Sequence, residues 1–239
     1  MFNMAWQPEK AVPVYERAVE LLPGAAEHRH AWVLEGLSAA YRHVGRPPEA
    51  AALLVRVEAL ARRTADDFVL GYVLLGCSGL AYDKGRFDEA IETAEAALPG
   101  FERVRHGSGI AYVHEAVGIA HRAAGRYAES DAELAVAVAR FERLGDRARA
   151  GRSRFYRAET LLDAGRPDEA RAEWARAEGV VGTTPPPEVR HSRERLIRKL
   201  GAPSGRYADA GEVPDGAREA DPDERGEEQA TGPGQRPAG

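Results

Sequence analysis

The sequence predicts an all-α, right-handed superhelical solenoid of antiparallel helix pairs, followed by a disordered acidic tail. Three observations predict it. The punctuation Gly-Arg-x-x-Glu-Ala, or a close variant, occurs four times, starting at Gly45, Gly85, Gly125 and Gly165, always 40 residues apart. The apolar residues between these beats follow the helical spacing i, i+3, i+4, i+7. After Pro203 the chain becomes rich in Gly, Pro, Asp and Glu, with little to bury.

The elements are taken from the N-terminus. Residues 1–30 form a partial repeat. Residues 9–22 carry Ala11 and Ala18 at small-residue positions and match the second helix of a pair. Pro13 is placed in the first turn of that helix, because a mid-helix proline costs about 3 kcal/mol. The preceding first helix is almost absent, so Phe2, Met4 and Trp6 either fold back as a cap or leave an apolar face for a partner, including a second copy of the chain.

Four repeats follow over residues 31–182. The first helices carry Leu34, Leu37 and Tyr41; Leu74, Cys77 and Ala81; and Val117 with Ala120. Each ends at its glycine, which reaches the left-handed C′ conformation without a Cβ penalty. Pro47, Pro48 and Pro167 suit the first turn of the next helix, and Asp88 and Asp168 are candidate caps. Glu49, Glu89, Glu129 and Glu169 lie where the helix dipole favours a carboxylate. Ala50, Ala90, Ser130 and Ala170 let the paired helices approach closely. The second-helix stripes are Leu54 and Val57; Ala94, Ala97, Leu98 and Phe101; Leu134, Ala137, Val138 and Phe141; and Trp174, Ala177 and Val181.

Residues 183–202 are a capping unit. Pro185-Pro186-Pro187 makes a stiff break, and a helix from about Glu188 to Leu200 places Val189, Leu196 and Leu200 on one side. Residues 203–239 are the tail.

The beat resembles the turn of the tetratricopeptide repeat (TPR), most closely in Gly85-Arg86-Phe87-Asp88-Glu89-Ala90 and Gly125-Arg126-Tyr127-Ala128-Glu129-Ser130. The usual TPR period is roughly 34 residues. The extra residues here fall between repeats, and this long-period form resembles the TPR regions of bacterial regulators and signalling ATPases. HEAT and armadillo repeats have the longer period but not this turn.

Composition narrows the function. Nine acidic residues against four arginines give 203–239 a charge of −5, which equals the charge of the whole chain. The remaining 202 residues are neutral, which argues against a nucleic-acid footprint. No apolar run approaches the roughly 18 residues of a membrane span, and the start Met1–Trp6 lacks the pattern of a signal peptide. Cys77 is the only cysteine, so no intrachain disulfide can form. A cytoplasmic location is expected. Thirty of the 33 cations are arginine, a codon-level signature of a GC-rich bacterial genome.

Catalytic signals are weak. Gly107-Ser108-Gly109 lacks the rest of a P-loop. His114-Glu115 opens like a zinc-protease motif, but Gly118 stands at the second ligand position. Asp66-Asp67 reads as a solvated linker pair. The cations Arg190, Arg193, Arg195, Arg198 and Lys199 of the last helix read as a solvated cap face, with the acidic tail as a candidate partner, rather than an anion site. No catalytic residue, cofactor or metal is assigned.

The resemblance implies that the first helix of each pair lines a concave groove. By position, the groove takes Trp32, Glu35, Ala39 and Arg42 from the first repeat and Tyr72, Leu75, Gly79 and Tyr82 from the second. It takes Tyr112, Glu115, Ile119 and Arg122 from the third, and Arg152, Phe155, Glu159 and Leu162 from the fourth. Trp32, Tyr72 and Tyr112 form a ladder at 40-residue spacing. The ladder either offers aromatic anchors to a ligand or packs one repeat on the next. The Lys/Asn/Arg clamp of carboxylate-gripping TPR co-chaperones has no Asn or Lys here to build it. The expected function is a non-enzymatic adaptor binding a peptide or protein in the groove. The alternative is a regulatory sensor of a small molecule or signal peptide, acting through a transcriptional or signalling partner.

Overall fold

A computed structural model describes residues 8–21, 27–181 and 187–201. Helix α1 (Pro8–Leu21) precedes four antiparallel pairs: α2 (Glu27–His43) with α3 (Pro47–Thr64), α4 (Asp67–Asp83) with α5 (Phe87–Glu95) and α6 (Leu98–Arg103), α7 (Gly107–Ala123) with α8 (Tyr127–Arg143), and α9 (Arg147–Asp163) with α10 (Pro167–Val181). Helix α11 (Pro187–Leu200) closes the array. No strand occurs among the described residues. Phe2, Met4, Trp6 and the tail lie outside them.

The turns explain the 40-residue beat. Gly45, Gly85, Gly125 and Gly165 have φ of 75°, 71°, 77° and 75°. At each, the next amide reaches back five residues, as from Arg46 N to the Tyr41 carbonyl at 2.8 Å and from Arg166 N to the Leu161 carbonyl at 2.8 Å. The same closure recurs midway, at Ala65 (φ 51°), Arg105 (φ 49°) and Gly145 (φ 69°). A left-handed residue therefore stands every 20 residues from Gly45 to Gly165, and each repeat is two arms of that length. An L-residue pays about 1–2 kcal/mol in this conformation. Ala65→Gly and Arg105→Gly are each expected to stabilise the chain by about 1 kcal/mol, read as a higher urea midpoint. A lower midpoint for both would contradict this account of the turns.

Several local expectations need correction. Pro13 is the sixth residue of α1, because Pro8 takes the first helical position, where a missing N–H costs nothing. Asp88 and Asp168 do not cap. Each is the second residue of its helix, and they pair with Arg126 at 2.7 Å and Arg171 at 3.0 Å. The capping aspartates are Asp66 and Asp146, which accept from the amides of Val69 and Arg149 at 3.0 Å. Asp67 grips Arg103 at 2.6 Å, so Asp66-Asp67 is not a solvated linker pair. The second helix of the second repeat is broken at Ala96-Ala97, just before Pro99, which has no N–H for the ladder.

The core runs through the pairs. Ala50, Ala90, Ser130 and Ala170 are fully buried. Ser38 and Ser78 donate to the Ala50 and Ala90 carbonyls at 2.9 and 2.7 Å, fastening first helix to second. Phe101, fully buried, bridges the second and third repeats. A Cβ added at Gly71 or Gly109 would come within 2.6 or 2.5 Å of its ring, so both must stay bare. At the C-terminal end Leu196 is buried with Phe155, Ala158, Trp174 and Ala177, while Leu200 packs beside them.

Successive first helices touch: α2 meets α4, α4 meets α7, α7 meets α9, and α9 meets α11. Beyond its own pair, each second helix meets chiefly the first helix of the next pair. The first helices thus lie on the shorter, inner side of the curve.

Candidate partner groove

The inner face is built from the positions that the sequence points to, but much of it is already in use. Tyr72 sits between repeats. Its ring meets Phe101 edge-on at 5.1 Å, Phe68 at 5.2 Å and Tyr112 at 6.4 Å, and its hydroxyl lies 2.9 Å from His106 Nε2. Tyr112 repeats the arrangement one unit on, edge-on to Phe141 at 5.4 Å, with the Arg149 and Arg152 guanidiniums 5.1 and 5.7 Å from its ring centroid. Both rings are half-buried. The Tyr72 and Tyr112 rings therefore pack between repeats. Burial pushes both phenols up and, with Arg149, pushes the His106 imidazole down. The Trp32 side chain lies outside the described residues.

The groove charges are paired across repeats. Arg152 of α9 meets Glu115 of α7 at 2.7 Å, and Ser153 donates to the same carboxylate at 2.7 Å. Burial opposes the Arg152 charge, but Glu115 outweighs it and holds the guanidinium protonated. Arg122 reaches Glu159 at 2.7 Å and Asp163 at 2.9 Å, and Arg195 of α11 binds both carboxylates from the other side. Burial alone would raise the Asp163 carboxyl, but hydrogen bonds from Arg195 and Arg122 hold it below the ordinary range. Arg42 lies 3.8 Å from Asp83, and a Cβ at Gly79 would overlap its guanidinium. Arg42–Asp83 and Arg122–Asp163 are the same contact two repeats apart.

Phe155 is fully buried in the C-terminal cluster and presents nothing to a ligand. Glu115 and Glu159 are only 5% and 3% exposed. Tyr82 is 36% exposed, its ring tilted on Phe87 at 5.6 Å, while Ile119 is half-buried and Leu75 is half-buried and packed against the core. Asp83, His106, Asp163 and Arg195 contact the predicted groove positions and were not assigned to the groove from sequence, and Ser153, which binds Glu115, is fully buried. The recurrence of Arg and Asp 41 residues apart was the signal available for two of them.

Glu35 stands apart. Part of its side chain reaches the surface, yet burial pushes its carboxyl up to about 7, with Arg42 only partly opposing. A raised acid stabilises the fold most at low pH, and that contribution fades as pH rises from about 4.5 through 7. Glu35→Gln is expected to raise stability by on the order of 2 kcal/mol at pH 8 and hardly at all at pH 4.5. Urea unfolding at the two pH values tests this, and an equal effect at both would refute it.

Among the described residues no group of three His, Cys, Asp or Glu is placed to hold a metal ion. His114 is paired with Glu133 at 2.7 Å, and burial raises the Cys77 thiol. On α11, Arg193 pairs with Glu178 at 2.6 Å, so the cap face is in part internally paired.

No known family profile matches the chain, and no curated protein does. Solved structures do. BtubC (BKLC) from P. vanneervenii superposes with a TM-score of 0.64 at 18% identity, over 90% of this chain and 97% of that one. The fold is of the TPR type. Two structures of a putative kinesin light chain from Podospora anserina, described as nearly identical TPR-like repeats, agree. They superpose with TM-scores of 0.52 and 0.50 at 21% identity over 73% of this chain, and over 86% and 87% of theirs. The TPR-type solenoid is what these likenesses establish. No helix of it, among the described residues, is long and apolar enough to cross a membrane.

Proposed function

We propose that this chain is a non-enzymatic interaction scaffold that holds a peptide or protein segment on its concave face, in the cytoplasm of a bacterium. Solenoids of this kind generally present an extended concave binding surface. The observation that carries the reading is what the inner face leaves free. Its cations and carboxylates cancel in pairs between repeats, while Tyr82 stays exposed and Ile119 half-exposed in the two central repeats. A surface of that composition suits an apolar or aromatic segment better than a charged tail, because a charged side chain would find its counter-ions already taken.

The test is retention of host proteins on the immobilised chain, followed by the variant Tyr82→Ala/Ile119→Asp. Retention of a partner held by the parent chain should fall at least tenfold. The thermal midpoint should move by only a few degrees, as expected for about 1 kcal/mol in a chain of this size. Undiminished retention by a folded variant would remove the groove from the mechanism.

A second reading, a regulatory sensor acting through a transcriptional or signalling partner, draws on Glu35. A groove carboxyl poised near neutrality is suited to a small cationic or hydrogen-bonding ligand. Thermal-shift screening separates the two, since stabilisation by small molecules favours the sensor and its absence the scaffold.

A further inference from the structure

The outward side of α11 is not explained by packing. Leu196, Ser192, Arg193 and Arg195 seat the helix: Leu196 in the C-terminal cluster, Ser192 on Glu159 at 3.0 Å, and the two arginines on Glu178, Glu159 and Asp163. Arg190, Arg198 and Lys199 are exposed, and among the described residues no ion pair holds them. Arg190 and Arg198 are eight residues apart, so they share one side of the helix about 12 Å apart along its axis. Glu194, also exposed, lies between them and leaves that side with a charge of +1, while Lys199, nine residues from Arg190, stands half a turn round the helix at its C-terminal end.

The chain carries its own complement. Residues 1–202 are neutral and 203–239 hold −5. The densest part is 219–228, where Glu219, Asp221, Asp223, Glu224, Glu227 and Glu228 stand against Arg225 alone. Helix α11 ends at Leu200, so the connection to that run starts beside Lys199. Eighteen residues of Gly-rich composition behaving as a coil span roughly 5–6 Å × √18, or about 23 Å. A 14-residue helix is about 21 Å long. A tether whose length matches its span holds its end at an effective concentration in the millimolar range.

We propose that the acidic run 219–228 docks on α11 of its own chain, along the exposed side that carries Arg190 and Arg198 and over the helix end that carries Lys199. Each contact is exposed and contributes at most about 1 kcal/mol. The docked state is therefore an equilibrium that salt dissolves, because the screening length falls from about 10 Å at 0.1 M to about 3 Å at 1 M.

A nitroxide placed at Ala220→Cys in a Cys77→Ser background of the full chain reads this contact through amide line broadening. The tether alone brings the label near Lys199, so the deciding amides are 190–194. In 20 mM salt they are expected to broaden severalfold more than those of α5. The excess should disappear in 0.5 M salt and in the variant Arg190→Glu/Arg198→Glu/Lys199→Glu. Broadening that survives the triple reversal, that centres on the inner faces of α4 and α7, or that appears on unlabelled chains mixed with labelled ones would overturn the proposal.

Discussion

Phe155→Ala is expected to destabilise the C-terminal half of the array by about 3–5 kcal/mol, the usual cost of emptying a buried aromatic site. The ring is fully buried and shares its cluster with Trp174 and Leu196, so it joins α9 to α10 and to the closing helix. In a repeat array each unit leans only on its neighbours. The loss should therefore appear first as faster amide exchange in α10 and α11, while α2 to α5 keep their protection. A urea series followed by circular dichroism gives the magnitude. A change under 1 kcal/mol together with loss of a bound partner would instead return Phe155 to the groove surface.

Glu115→Ala should cost about as much, for a different reason. The substitution leaves Arg152, whose side chain is 17% exposed, without its counter-ion and strips Ser153 of its acceptor. Breaking one side of a buried pair typically costs 3–5 kcal/mol, whereas replacing both sides with apolar residues is often neutral. The double variant Glu115→Leu/Arg152→Leu is accordingly expected to lie within about 1–2 kcal/mol of the parent. Equal instability of the single and double variants would mean that Glu115 acts through packing and not through the pair.

Much of the architecture was legible because it is written in local chemistry. A glycine at φ near 75° and a carboxylate in the following first turn mark helix ends whatever surrounds them. The intermediate turns were not legible, because Ala65 and Arg105 do the work of Gly145 without its signature. The caps were misplaced for a related reason. Asp66 and Asp88 both stand at the start of a helical run, and which one reaches a free amide depends on a register that propensity does not encode.

The groove was half legible. The 40-residue phase placed Tyr72, Tyr112, Glu115, Arg122, Arg152 and Glu159 on successive first helices, where they meet one another across repeats. What each does there depends on how far one first helix sits from the next. At the observed spacing the tyrosines reach Phe101 and Phe141 from the ends of the second helices, and the charges reach one another. The sequence by itself determined the helix pairs and their sense of repetition, because those follow from backbone chemistry within a few residues. Only the tertiary structure decided which inner side chains bind neighbours and which face outward, because that is settled by distances of a few ångströms between residues some 40 positions apart.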